Sequence, residues 1–410
     1  MNIGLINYRY GDTDGVSLKD INMAHAFERL GHKVYYCAGY FKGYITGQTI
    51  SLLDFNHPEI RLLKKKILNK NSSFADLEKI IFKTADKIQP LLEQFITDKK
   101  ISVVLTSNVL TIGLNLPFAI ALTRISADRK LKIISHGCEF WWQREYFVDS
   151  NLKDILDEYL PPKLDTIKHY VINTHSQKRL LTRKGIKAEI LPDFFDYSYP
   201  FYKLDDYNRP FRKDFSIKED SLLILQPSRM VRRKRVDRGI LLADKLRKYR
   251  PTVVITGFDG DEDDKYVRDI EKMEKILNVE TRMVAEHISS GRMIKHGKKF
   301  YSVFDAYVNA DLVAFMSDLE GFGNQLVETI FFKKLFVVNS YKVYEEDIKP
   351  LGFEFIETDG GQITPDVIAQ IEELLHNDQA RKRVVEKNYA LGKKHFSTEA
   401  VLPTIKGMLV

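Results

Sequence analysis

Short apolar runs alternate with amphipathic stretches along most of the chain, and the pattern occurs twice, on either side of a polar and aromatic stretch at Asp193–Lys218. In the first half, strand-like runs at Met1–Asn7, Lys33–Cys37, Ile101–Thr106, Leu131–Ser135, His169–Asn173 and Ala188–Leu191 are separated by helix-like segments, notably Ser17–Leu30, Phe74–Phe95 and His175–Lys184. Ser17 is the expected N-cap of the first helix, and Gly31 its stop. In the second half the strands are Leu222–Gln226, Thr252–Thr256, Asp311–Phe315 and Leu335–Asn339. The helices between them are Val236–Tyr249, Asp263–Leu277 and Asn324–Phe332, and the chain is helical from Pro365 onward. Strands joined by helices imply parallel sheets, because a parallel connection needs a long crossover that covers a sheet face. The expected fold class is therefore α/β, with two Rossmann-like, doubly wound domains facing a central cleft. Their expected spans are residues 1–200 and 215–390, with residues 391–410 forming a terminal helix that crosses back to the first domain. Ligands of such sheets bind outside the carboxyl ends of the strands.

Composition narrows the class without choosing the activity. A chain of 410 residues fits two or three domains at roughly 100–200 residues each. Hydrophobic residues at 44% and charged residues at 29% exclude disordered and fibrous classes. Cys37 and Cys138 are the only cysteines, too few for a disulfide framework or a cysteine zinc site. The Met1–Asn7 start lacks a basic leader, and the longest apolar stretch, Thr111–Leu122, is interrupted by Asn115 and Pro117. A cytoplasmic location is the expectation. Lys and Arg exceed Asp and Glu by 63 − 56 = 7, and the pI is about 9.0. This suits an anionic ligand such as a nucleotide, a phosphate, a membrane surface or a nucleic acid.

Two motifs carry chemistry. Glu320-Gly321-Phe322-Gly323-Asn324-Gln325-Leu326-Val327-Glu328 follows a predicted strand and opens a predicted helix. Its glycines permit close backbone approach, and the helix start at Asn324 and Gln325 makes an anion site. Glu328, a turn further in, can reach ribose hydroxyls. The plain alternative is a capped helix after a glycine turn. The second motif, Gln226 to Arg235, sets five cations within seven residues directly after a strand: Arg229, Arg232, Arg233, Lys234 and Arg235. Such a group suits a diphosphate, with arginine as a planar fork and lysine as a point charge. A basic surface loop or a nucleic-acid patch is the alternative.

Together these residues resemble the retaining glycosyltransferases of the GT-B fold, family 4 type. That family carries Arg-x-x-x-x-Lys after the first strand of its C-terminal domain, here Arg229 to Lys234, and Glu-x-Phe-Gly-x-x-x-x-Glu, here Glu320 to Glu328. The Leu30–Val34 segment and the Leu191–Asp193 turn fall in matching order. The Asp14-to-Leu18 and His136-to-Tyr146 segments are also similar to transferases making small glycosylated solutes such as mannosylglucosylglycerate. The resemblance implies that Arg229 and Lys234 hold the donor diphosphate and that Glu328 binds the ribose. It sets Glu320 against the donor sugar, with the Phe322, Gly323 and Asn324 backbone and Gln325 nearby. Gly15 would admit phosphate or acceptor, and His136 would meet the donor sugar. Asp14-Gly15 stands where the family often has Gly-Gly, and Pro192-Asp193-Phe194 where it often has Pro-Asn-Gly.

Other features admit two readings each. His136 is a donor-sugar residue or a core histidine. Trp141-Trp142, with Arg144, Glu145 and Tyr146, stacks on sugar or belongs to the core. Arg61–Lys70 is a solvated helix or a basic amphipathic contact with an anionic membrane. Asp259-Gly260-Asp261 imitates a metal-binding Asp-x-Asp, but Asp264 and Ile270 break a calcium loop, so a solvated helix start and no metal are expected. The expected activity is metal-independent transfer of a hexose from a nucleotide-diphosphate sugar, of GDP-mannose or UDP-glucose type, to a sugar, small-molecule or glycan hydroxyl. No cofactor is expected, since no lysine has a pyridoxal-phosphate context. A nucleotide-sugar epimerase or hydrolase is the enzyme alternative. A nucleic-acid binder is the other, against which stands the lack of a recognition helix or aromatic RNA-binding box.

Overall fold

The computed structural model describes the whole chain except residues 12–14, 44, 69–72, 145–146, 148–151, 200–201, 258–263 and 290. Two compact units divide it: Met1–Pro192 with Val401–Val410, and Asp193–Ala400.

The first unit holds a seven-stranded parallel sheet: β1 (Asn2–Asn7), β2 (Lys33–Ala38), β3 (Gln48–Thr49), β4 (Val103–Ser107), β5 (Lys132–Gly137), β6 (Ile167–Val171) and β7 (Ala188–Ile190). Their order is β3-β2-β1-β4-β5-β6-β7, so the strand order reverses between β1 and β4. The helix Phe74–Asp98 forms because Leu77, Ile81, Ala85, Ile88, Leu92 and Phe95 recur at helical spacing and all bury. It packs on the core that also contains the helix Leu116–Arg129. That second helix accounts for the interrupted apolar stretch. Asn115 caps it, accepting from the Phe118 N–H, and donates to the Leu52 and Leu53 carbonyls. Pro117 sits in the first turn, where its missing N–H has no helical partner to lose.

The second unit holds a six-stranded parallel sheet: β8 (Leu223–Arg229), β9 (Thr252–Gly257), β10 (Glu280–Met283), β14 (Leu312–Phe315), β15 (Leu335–Asn339) and β16 (Ile356–Thr358). The order is β10-β9-β8-β14-β15-β16, with its reversal between β8 and β14. A small side sheet adds β11 (Ile288–Ser289), β12 (Met293–Lys295) and β13 (Lys298–Ser302). None of the short strands β10 to β13 and β16 stands out in the sequence, because two to five residues of mixed polarity carry no period.

One expectation is corrected. The first helix spans Gly15–Arg29, so Ser17 lies inside it and is buried rather than acting as its N-cap. The Asp193–Lys218 stretch packs as part of the second unit: Tyr207 donates to the Met293 and Phe300 carbonyls, and Phe211 and Phe215 lie against Tyr301. The division falls at Pro192/Asp193 because the chain re-enters pairing at once. The Phe195 N–H donates to the Phe396 carbonyl at 2.8 Å, and the Thr398 N–H returns to the Phe195 carbonyl at 3.1 Å.

Candidate functional site

In the second unit, the loops after β8 and β14 leave the sheet at its reversal point, where open α/β sheets bind ligands. β8 ends at Arg229, and a tight turn at Arg232–Lys234 follows. The Gln226 amide donates to the Lys234 carbonyl at 3.1 Å and holds that turn against the strand. Lys234 is buried. Its Nζ donates to Glu320 Oε1 at 2.5 Å and to Gln325 Oε1 at 3.2 Å, and lies 5.5 Å from the centre of the Phe315 ring. Burial pulls the Lys234 ammonium down, while Glu320 opposes that change. Burial alone would raise the Glu320 carboxyl, but Lys234 and Arg233 outweigh it and hold the group below the usual carboxylate range. The pair is therefore ionised and closed, with Arg233 Nη1 at 3.4 Å from the second Glu320 oxygen.

The five cations do not act together. Arg235 pairs with Asp237 and Asp318, and Arg232 lies over Tyr266 with Asp269 at 3.6 Å. Arg229 and Arg233 stay near Lys234, and the charges of both press on it.

The helix Asn324–Phe331 begins at Gly323, whose φ of 127° lies in the region that favours glycine. A Cβ there would come within 3.0 Å of the Phe315 ring. The Gly323 N–H donates to Asp193 Oδ2 at 3.3 Å, which sequence reading missed, although the Leu191–Asp193 turn was visible. The Phe322 ring packs edge-on against Phe396, and its carbonyl accepts from the Tyr341 hydroxyl, so only its backbone is available to the loop. Gln325 does more than begin a helix. Its amide donates to the Pro227 carbonyl at 2.7 Å, joining the two loops beside Lys234. Glu328 is buried one turn in and accepts from the Tyr307 hydroxyl at 2.9 Å. Burial pushes its carboxyl up to about 7; Asp193 adds to that rise, and the Tyr307 hydrogen bond and Lys234 oppose it. No sequence pattern marks Tyr307, since its register is set only when its helix docks.

In the first unit, Gly15 is exposed at the start of its helix. His136 is the last residue but one of β5 and is buried. Its Nε2 lies 3.0 Å from Lys19 Nζ and 3.1 Å from the Leu191 carbonyl, and its Nδ1 lies 3.6 Å from Cys138 Sγ. An ammonium only donates, so Nε2 must accept from Lys19 and the ring proton sits on Nδ1. Lys19 also reaches the Leu191 carbonyl at 3.3 Å. Burial first, and then the Lys19 charge, hold His136 well below the usual imidazole range. Beside it, Asp20 accepts from Asn7, Tyr10 and Ser107. Burial raises the Asp20 carboxyl to about 6 against those hydrogen bonds. Lys19 and Asp20 escaped the sequence reading, although two adjacent charges inside a predicted buried helix are a local inconsistency of the kind that marks function.

Trp141 and Trp142 are core. Phe140 stacks on Trp142 at 4.6 Å, the Trp141 indole donates to the Leu160 carbonyl, and Arg183 lies over both indoles. Glu145 and Tyr146 lie outside the described residues, as does Asp259–Asp261. The basic helix spans Pro58–Leu68, burying Ile60 and Leu63 while Leu62 and Leu68 stay exposed. Among the described residues, no helix is long and apolar enough to cross a membrane.

The family described as Glycosyl transferases group 1 matches residues 208–391, a span containing both motifs of the second unit. Two curated relatives are mannosylglucosylglycerate synthases. That of Petrotoga mobilis is 31% identical over 382 residues, covering 87% of this chain and 86% of its own. That of Thermotoga maritima is 27% identical over 431 residues, covering 97% of each. Among solved structures, a glycosyltransferase from Rickettsia africae has a TM-score of 0.65 at 15% identity, covering 100% of this chain and 98% of its own. Anabaena HepE in complex with UDP and glucose has a TM-score of 0.64 at 13% identity, covering 100% and 99%. Both structures share the fold.

Proposed function

This chain belongs to the group 1 glycosyl transferases, enzymes of GT-B fold that move a glycosyl unit from a nucleotide sugar, and from that premise we propose a retaining, metal-independent hexosyltransferase. The relatives' product, mannosylglucosylglycerate, carries mannose at its end. Making it in one transfer from a nucleotide sugar adds a mannosyl unit to a glucosylglycerate hydroxyl, and that is the reaction proposed here. The observation that carries the reading is the Lys234–Glu320–Gln325 cluster between the loops after β8 and β14, with Arg229 at the strand end.

The donor diphosphate takes Arg229 and Lys234 as its counter-charges, assisted by the first turn of the Asn324–Phe331 helix. Diphosphate oxygens then compete with Glu320 for Lys234, which releases the Glu320 carboxylate toward sugar hydroxyls. Gly323 keeps the backbone bare at that point. Glu328 accepts from ribose hydroxyls, with Tyr307 holding its other oxygen. In the reaction, the bond from sugar C1 to the phosphate oxygen breaks with its electron pair staying on phosphate. The acceptor oxygen forms the new C1–O bond on the same face, and its proton passes to the departing phosphate oxygen. Neither site carboxylate is assigned as a covalent nucleophile: Glu320 is given to the sugar hydroxyls, and Glu328, buried inside the helix, to the ribose. His136, neutral and bonded through both nitrogens, serves as a hydrogen-bonding and positioning group and not as a general acid.

The test is product analysis with glucosylglycerate and a panel of GDP-, UDP- and ADP-sugars, with and without EDTA. Formation of an α-linked mannosyl product from an α-donor, undiminished by EDTA, is the expected result. Hydrolysis or epimerisation of the donor without transfer would refute the reading, and loss of transfer in EDTA that Mg²⁺ or Mn²⁺ restores would refute its leaving-group chemistry.

A further inference from the structure

β8 is a central strand, between β9 and β14, yet Pro227 stands inside it. A proline there removes a ladder donor and is tolerated at a bulge. The register contains one. Gln226 lies opposite Ile255 and Arg229 opposite Gly257, so Pro227 and Ser228 on β8 face the single residue Thr256 on β9. On its other side, β8 pairs with β14 through Ile224 and Leu225, before Pro227 is reached.

The extra residue decides where Arg229 points. Three steps along a regular strand reverse the face, which would set Arg229 on the side away from Gln226. The bulge restores the phase, and Arg229 emerges on the face of Gln226. That face carries the Lys234 turn, because the Gln226 amide donates to the Lys234 carbonyl at 3.1 Å. The helix Val236–Lys245 covers the same face, and a Cβ at its Gly239 would come within 2.2 Å of Gln226 Oε1. Bulges beside active sites re-aim side chains in this way. The arrangement has a local cost: Ser228 Oγ and Gln226 Oε1 are buried without a hydrogen-bond partner among the described residues. Such costs are kept where they serve a site.

Gly257 seats the bulge. A Cβ there would come within 2.8 Å of the Ser228 carbonyl oxygen and 2.9 Å of the Arg229 nitrogen. Both are backbone atoms, so no change of rotamer makes room. The strand end must move, and Arg229 with it.

We propose that the Pro227–Ser228 bulge, seated on Gly257, aims Arg229 at the donor diphosphate, which makes Gly257 a positioning residue for the transfer. The proposal rests on the reading of Arg229 as a diphosphate ligand. The experiment is a double-mutant cycle on the full chain: Gly257→Ala, Arg229→Ala and both together. Calorimetry follows GDP and UDP binding, and the transfer assay gives kcat. Gly257→Ala should lower kcat at least about tenfold and weaken nucleotide binding severalfold, because a displaced counter-charge is costly. In the Arg229→Ala background it should add less than about twofold to either loss. Pro227→Gly frees the bulge without adding bulk; it should show the same pattern with a smaller loss, and it decides the matter if Gly257→Ala does not fold. Unchanged kcat in these variants, or equal losses in both backgrounds as a merely structural role would give, would overturn the proposal. An Arg229→Ala protein with full activity and nucleotide affinity would instead refute the clamp itself, and the proposal with it.

Discussion

Replacing Glu328 by glutamine removes a charge that the fold holds under strain. In the folded protein this carboxyl titrates near 7, against 4.5 for the free side chain, chiefly because it is buried. The group therefore binds its proton more tightly folded than unfolded, and stability falls as pH rises from about 4.5 through about 7. With about 1.4 kcal/mol per pH unit, the carboxylate withdraws under about 1 kcal/mol at pH 5 and roughly 3 kcal/mol at pH 8. Glutamine keeps an acceptor for the Tyr307 hydroxyl and carries no charge. Glu328→Gln should thus gain little in urea unfolding at pH 5 and about 2–3 kcal/mol at pH 8, read on a probe in the second unit. Asp20 titrates in the same window, but it is common to both proteins and cancels in the difference. The same variant should bind nucleoside diphosphate about 10- to 100-fold more weakly, the loss typical of a charged hydrogen bond. A stability difference that is flat between pH 5 and pH 8 would refute the titration argument. Unchanged nucleotide affinity would refute the ribose role.

Two further expectations concern the remaining site residues. Arg229→Ala should lower kcat about 100-fold or more while leaving the fold intact, whereas Lys234→Ala should also destabilise the protein by stranding the buried Glu320 carboxylate; Lys234→Met with Glu320→Gln should recover stability but not turnover, and full activity in Arg229→Ala would sink the clamp. Lys19→Met should move the His136 proton from Nδ1 to Nε2, where it can donate to the Leu191 carbonyl, and should raise the imidazole pKa; long-range nitrogen–proton NMR reads both, and an unchanged tautomer would show that Lys19 does not set it.

The class of fold was legible because it rests on local periodicity. Strands such as Leu223–Arg229 and Leu335–Asn339 open on unbroken apolar runs, Leu223–Leu225 and Leu335–Val338, and a parallel sheet covered by helices buries them on both faces. The two motifs of the second unit were legible because a strand end, a glycine turn and a helix start all lie within one short segment. Glu320, Gly323, Gln325 and Glu328 could be named on that ground. The partners could not. Asp193 reaches Gly323 across 130 residues, Tyr307 reaches Glu328 across 21, and Lys19 reaches His136 across 117. Those meetings depend on how helices dock on the sheet, and docking is decided by packing among residues that carry no motif. The same holds for charge. The sequence shows five cations after β8 as one group, and the tertiary structure separates them by offering Asp237, Asp318 and Asp269 to two of them. A residue's type and spacing fix what it is able to do; burial and neighbours set its protonation and its partner, and those follow only from the folded chain.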